Sequence, residues 1–144
     1  MRIVGFWHIS VKEHPYEDVM TSVNKRKKGT FYEEKASEYL KALGYEIVER
    51  NFHAGKLGEI DLIAYDPKED TLVFIEVKYR KTTGSGHPAE AVTWKKQQTI
   101  RKCAQNFLYR IRMRKGAWIP GKHIRFDVIA ILGTQSIEHY KNAF

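Results

Sequence analysis

One stretch constrains the fold more than any other: Thr71-Leu72-Val73-Phe74-Ile75-Glu76-Val77-Lys78-Tyr79. Successive side chains of a strand point to opposite faces. Here both faces are apolar, with Leu72 and Phe74 on one and Val73, Ile75 and Val77 on the other. A strand of this kind must be covered on both sides, which places it in the middle of a layered sheet. Its C-terminal end then carries Glu76 and Lys78 on one face of an otherwise covered strand.

The flanking sequence supplies the cover. Gly29-Thr30 opens a helical pattern, with Thr30 and Glu33 at capping-box spacing and Phe31, Ala36, Tyr39, Leu40 and Leu43 approximating one stripe before Gly44. Tyr45–Arg50 reads as a short strand and Asn51–Gly58 as a loop. Glu59–Asp66 is a strand joined to the central one by Asp66-Pro67-Lys68-Glu69-Asp70, which is turn composition. After a loop over Arg80–Pro88, a long helix is expected from about Ala89 to Arg114. Its Ile100, Cys103, Ala104, Phe107, Leu108 and Ile111 step at helical spacing. Ile124–Leu132 is the last expected strand. The order α-β-β-β-α-β defines an α/β class, a mixed central sheet flanked by helices in three layers.

Residues 1–24 show no clear period and read as an N-terminal extension, with residues 25–144 as a single domain. That size buries a core without disulfides. The one cysteine, Cys103, falls on the apolar stripe, so it reads as a packed thiol in a reducing, cytoplasmic setting. No apolar run reaches membrane-spanning length, and the first residues are too short an apolar stretch for a secretory signal, so no membrane partner is expected. The histidines at 8, 14, 53, 87, 123 and 139 have no zinc-ligand spacing. His87 is expected in a loop at the surface, or within reach of the site. Asp127 is expected to be a structural partner of Arg125 or His123.

The net charge of +8 is unevenly spread. From Lys95 to Arg125 there are ten basic residues and no acid, while the rest of the chain carries 15 basic against 17 acidic residues. Such clustering is the footprint of a nucleic-acid partner. The expected phosphate-binding residues are Lys95, Lys96, Arg101, Lys102, Arg110, Arg112, Arg114 and Lys115. A smaller cluster is Lys25-Arg26-Lys27-Lys28. Trp94, Tyr109 and Trp118 lie among these charges, suited either to base stacking or to core anchoring.

The chemistry concentrates at Gly58-Glu59-Ile60-Asp61 and Glu76-Val77-Lys78. A four-residue loop Pro67–Asp70 pairs Asp66 with Thr71, and the same register places Asp61 opposite Glu76 and Glu59 opposite Lys78. Opposed carboxylates about 5 Å apart repel by roughly 3 kcal/mol at an effective dielectric near 20. A shared proton, a neighbouring cation or a metal must offset that. An oxygen-rich pair favours Mg²⁺ or Mn²⁺, held by Asp61 and Glu76, with Glu33 completing the set from the first helix. Lys78 would then serve the phosphate or the attacking water. Glu59 and Gln97 are accessory candidates. The plainer alternative, a Glu59–Lys78 salt bridge, leaves Asp61 facing Glu76 without a reason.

Asp61 followed by Glu76-Val77-Lys78 resembles the PD-(D/E)XK nuclease signature, with Ile60 in place of the proline. The wider pattern is Lys28-Gly29, Glu33, Gly44-Tyr45, Gly58-Glu59-Ile60-Asp61-Leu62-Ile63-Ala64, Phe74 to Arg80, Ala91-Val92-Thr93, Lys96-Gln97 and Arg125-Phe126-Asp127-Val128. It resembles the bacterial YraN-like family over roughly residues 26–132. More distantly it is similar to archaeal Holliday-junction resolvases. The resemblance implies a restriction-endonuclease-like fold and a catalytic set of Glu33, Asp61, Glu76 and Lys78. It also implies a Mg²⁺- or Mn²⁺-dependent nuclease acting on DNA, branched or single-stranded, as a homodimer. The alternatives are a catalytically inactive nucleic-acid-binding module of the same fold and an interaction protein whose basic helix meets an acidic partner.

Overall fold

The computed structural model describes residues 2–8, 22–81 and 92–144, and the side chains of Gly5 and of residues 28 onward within them. The chain is a mixed α/β structure. A six-stranded sheet has the order β1-β6-β5-β4-β3-β2, with β1 at Arg2–His8, β2 at Glu46–His53, β3 at Glu59–Asp66, β4 at Thr71–Arg80, β5 at His123–Leu132 and β6 at Ser136–Lys141. Among the described residues two helices cover it, α1 at Ser22–Ala42 and α2 at Trp94–Met113. Of the pairings among the described residues, β4–β5 is parallel and the other four are antiparallel.

β4 is the covered strand its composition demands, with Thr71 through Glu76 all buried. On one face Leu72 and Phe74 pack with Ile63, Val128 and Ala130 under the α2 side chains Ile100, Cys103, Ala104 and Phe107. On the other, Val73 and Ile75 pack with Leu62, Ala64, Ile129 and Ile131 under Ala36, Tyr39 and Leu40 of α1. The three layers follow from these two apolar faces. Among the described residues, no helix is long and apolar enough to cross a membrane.

Several boundaries differ from expectation. α1 begins at Ser22, so Thr30 and Glu33 lie inside it and form no capping box. Leu43 falls beyond the helix and is exposed. Gly44, at φ 91°, ends the helix as anticipated, donating to the Lys41 carbonyl at 3.0 Å. The expected break between residues 24 and 25 falls within α1, and Arg2–His8 belongs to the same sheet. β1 and β6 are additional to the expected order; they form the sheet edge beyond β5. The described part of the long helix starts at Trp94, its N-cap Thr93 accepting from the Lys96 amide at 3.2 Å. The expected loop and helix start over residues 82–91, with His87, lie outside the described residues, as does His14.

On the α1 face of the sheet, a buried polar network ties β6 to β5. Asp127 accepts from Arg125 at 2.8 and 3.0 Å, stands 2.7 Å from His139 Nε2, and accepts from the Asn142 amide at 3.0 Å. Arg125 also donates to Tyr45 at 2.9 Å and to Glu69. Asp127 is thus a structural partner of Arg125, as expected, while its imidazole partner is His139 rather than His123. Burial pushes the Asp127 carboxyl up, and the bonds from His139 and Arg125 outweigh this and hold it below its ordinary value.

Candidate active site

β3 and β4 pair in the expected register from Asp66↔Thr71 to Leu62↔Ile75. The ladder stops there, one pair short of Asp61 and Glu76. The cause lies in the β2–β3 hairpin. Arg50 and Leu62 are register partners, as are Phe52 and Ile60. Arg50 reaches Ser37 and Glu34 of α1, and Leu62 packs under α1. Phe52 and Ile60 instead pack under α2. Residues two apart have therefore changed face, and the turnover falls at Asn51 and Asp61. Asn51 adopts φ 49°, a left-handed conformation that asparagine tolerates. Asp61 consequently meets β4 through its side chain: its Oδ2 accepts the Val77 amide at 2.8 Å. Gly58, at φ 134°, leads into β3 where a Cβ would lie 2.6 Å from Thr99, so it lets α2 pack closely against the start of this strand.

The departure of β3 leaves a cavity of about 510 Å³ at the C-terminal end of β4. It is lined by Glu33, Glu59, Asp61 and Glu76 among the acids, and by Lys28, Arg80, Lys81 and Lys96 among the bases. Glu76 is 4% exposed. Its Oε1 receives Lys78 at 3.2 Å and Lys96 at 3.6 Å, and its buried Oε2 has no hydrogen-bond partner among the described residues. Burial and the charges of Glu76 and Glu33 push the Asp61 carboxyl up to about 7, against the Val77 amide and Lys96, which hold it down. Glu33 is raised by burial, lowered by a hydrogen bond from Asn51, and raised again by Glu59 and Glu76.

All four residues of the expected catalytic set thus meet at this end of β4: Glu33, Asp61 and Glu76 line the cavity and Lys78 is bound to Glu76. Glu59 lines the cavity too, but it stands 3.3 Å from His53 Nδ1 rather than pairing with Lys78. Gln97 donates to the Val92 carbonyl at 3.0 Å and secures the start of α2.

The basic segment is divided. Lys96 faces the carboxylates. Lys95, Lys102, Arg112, Arg114 and Lys115 are exposed. The Arg101 guanidinium lies over Phe126 at 4.9 Å and Phe144 at 5.6 Å, and that of Arg110 over Phe52 at 5.2 Å. Arg110 sits about 21 Å along α2 from Lys96 at 1.5 Å per residue. The cavity's other cations, Lys28, Arg80 and Lys81, were absent from the expected phosphate-binding set. Two lie immediately after Glu76-Val77-Lys78, and Lys28 ends the smaller basic cluster. Lys28 stands 4.9 Å over the Tyr79 ring, which stacks on Tyr32 at 4.5 Å and 14°. Trp94 and Trp118 are 73% and 70% exposed, and Tyr109 is exposed too, so core anchoring is not their role.

Among the described residues, no set of three His, Cys, Asp or Glu side chains stands ready-made for a metal. Mg²⁺ asks for less: it commonly keeps several waters and takes one or two protein carboxylates. Asp61 with the partnerless Glu76 Oε2 meets that requirement in donor type and charge.

Fold and site together define a mixed α/β protein whose central strand ends in a lysine-braced carboxylate cavity. The chain belongs to the Uncharacterised protein family UPF0102, the YraN-like family, whose profile matches residues 32–131. It is similar to the UPF0102 protein of Persephonella marina, 44% identical over 117 residues, covering 81% of this chain and 92% of the relative. The UPF0102 protein of Caldicellulosiruptor saccharolyticus is 42% identical over 109 residues, covering 76% and 85%. That of a Sulfurihydrogenibium species is 40% identical over 122 residues, covering 85% and 97%.

Proposed function

We propose that this protein is a divalent-cation-dependent nuclease that hydrolyses phosphodiester bonds in DNA. The observation that carries the reading is the buried Glu76 carboxylate, one oxygen without a partner, in a cavity shared with Asp61 and Glu33 and rimmed by basic residues. A buried carboxylate oxygen without a hydrogen bond is costly unless a ligand completes it.

Asp61 and Glu76 would hold Mg²⁺ or Mn²⁺, with Glu33 contributing from α1. Bound there, the cation supplies an acidified water and offsets charge on the scissile phosphate. The chain's own groups do the rest. The Val77 amide fixes the Asp61 carboxylate. Lys78, held by Glu76, presents ammonium protons to the attacking water or a phosphate oxygen. Lys28, Arg80 and Lys81 attract and orient the polyanionic strand. Water adds to phosphorus, one P–O bond to a sugar breaks, and the released sugar oxygen takes a proton.

One observation favours a second reading, a nucleic-acid-binding module without hydrolysis: Lys78 and Lys96 already neutralise Glu76. A cleavage screen separates the two. With Mg²⁺ or Mn²⁺, the chain is expected to cut at least one of duplex, single-stranded, flap and four-way DNA, and Asp61→Ala or Glu76→Ala to abolish it. Equal activity in wild type and variants would overturn the nuclease reading.

A further inference from the structure

We propose that Lys96 is an exchangeable counterion: it holds Glu76 while no divalent cation is present and passes to a substrate phosphate once a cation takes Glu76 over. This rests on the cation-dependent reading of the site and adds a coupling between cation and nucleic acid.

Two ammonium groups share Glu76 Oε1, and they are not equivalent. Lys78 sits two residues from Glu76 on the same strand, its backbone locked opposite Ala130 in the β4–β5 ladder. Its ammonium therefore stays near Glu76. Lys96 comes from the first turn of α2, where Thr93 fixes the backbone but not the side chain. The two side chains are equally exposed, at about one-third, but that of Lys96 has a flexible stem on a separate element and lines the cavity, which that of Lys78 does not. Its contact with Glu76 is also the longer of the two.

A divalent cation on Glu76 brings two positive charges beside Lys96, and the repulsion is strong at such separations. The ammonium then needs another anion, and the phosphate drawn into the same cavity is the nearest chemistry that fits. Lys28 has no such double role. It rests over the Tyr79 ring and forms no ion pair among the described residues. It meets phosphate whether or not a cation is bound. Because linkage is reciprocal, whatever the cation gains for the nucleic acid, the nucleic acid gains for the cation.

The test is a cycle of affinities on the full chain. Calorimetry with Mn²⁺ alone should show Lys96→Gln binding the ion roughly tenfold more tightly than wild type, since a competing charge is gone. A fluorescent oligonucleotide is then titrated in chelator and in Ca²⁺. Lys96→Gln should match wild type in chelator and lose roughly tenfold with Ca²⁺, whereas Lys28→Gln should lose affinity equally in both. Unchanged Mn²⁺ affinity in Lys96→Gln, or equal loss of oligonucleotide affinity in both buffers, would overturn the exchange while leaving the nuclease reading standing. A wild type that takes up no Mn²⁺ would overturn the reading beneath it.

Discussion

Glu76 has one carboxylate oxygen between two ammonium groups and another with no hydrogen-bond partner, and Asp61 lies beside it with a raised pKa. An acid whose folded-state pKa exceeds its unfolded value binds its proton more tightly when folded. Unfolded Asp61 loses its proton near 3.8, whereas the folded group keeps it to about 7. Its contribution to stability is fully present below about pH 4, declines as pH rises towards 7, and levels off above. Thermal unfolding in chelator is therefore expected to show a melting temperature that falls between pH 5 and 7. Asp61→Asn, or saturating Mg²⁺, should flatten that fall. An unaltered slope in Asp61→Asn would show that Asp61 is not the group responsible. That Asp61 and Glu76 belong together was legible from the register arithmetic. The way they meet was not, because it depends on the face change at Asn51, and a single asparagine in a sequence does not announce a left-handed backbone.

At the scale of elements, β4 was the most legible because its two apolar faces admit one placement. The β3–β4 register followed from the turn length and holds to Leu62↔Ile75. Strand β6, between β1 and β5, was not legible. It is six residues long, and its buried positions include His139, whose burial is made tolerable by Asp127 and Tyr39, distant in sequence. The Thr30–Glu33 spacing misled because capping residues also occur inside helices, where their side chains serve other ends. Here Glu33 faces the cavity. The Asp127 network makes the β5–β6 edge a testable unit. Asp127→Ala leaves the buried Arg125 and His139 without their shared acceptor and should cost about 3–5 kcal/mol in urea unfolding. Cation affinity at Glu76, whose side chain alternates onto the other face of the sheet, should be unchanged. A loss below about 1 kcal/mol would mean that the network relaxes or takes up water instead.

Across the whole molecule, the basic segment of the sequence does not map onto one surface. Lys96 reaches the cavity, Arg125 is sealed inside the sheet's polar network, and Arg101 and Arg110 are spent over aromatic rings. Charge counted along a chain records composition; which side chains share a cleft is decided by helix phase and by the strand ends the helices cover. The cavity is served from three sides, by Lys28 of α1, Arg80 and Lys81 at the end of β4, and Lys96 of α2. In the proposed function a divalent cation at Asp61 and Glu76 completes this convergence. The most direct test is an anomalous difference map from a crystal soaked in Mn²⁺. The expected result is a peak bonded to Asp61 Oδ and to Glu76 Oε2, with Lys78 still beside Glu76 and Lys96 withdrawn. An empty cavity at saturating Mn²⁺, with both lysines still on Glu76, would contradict it.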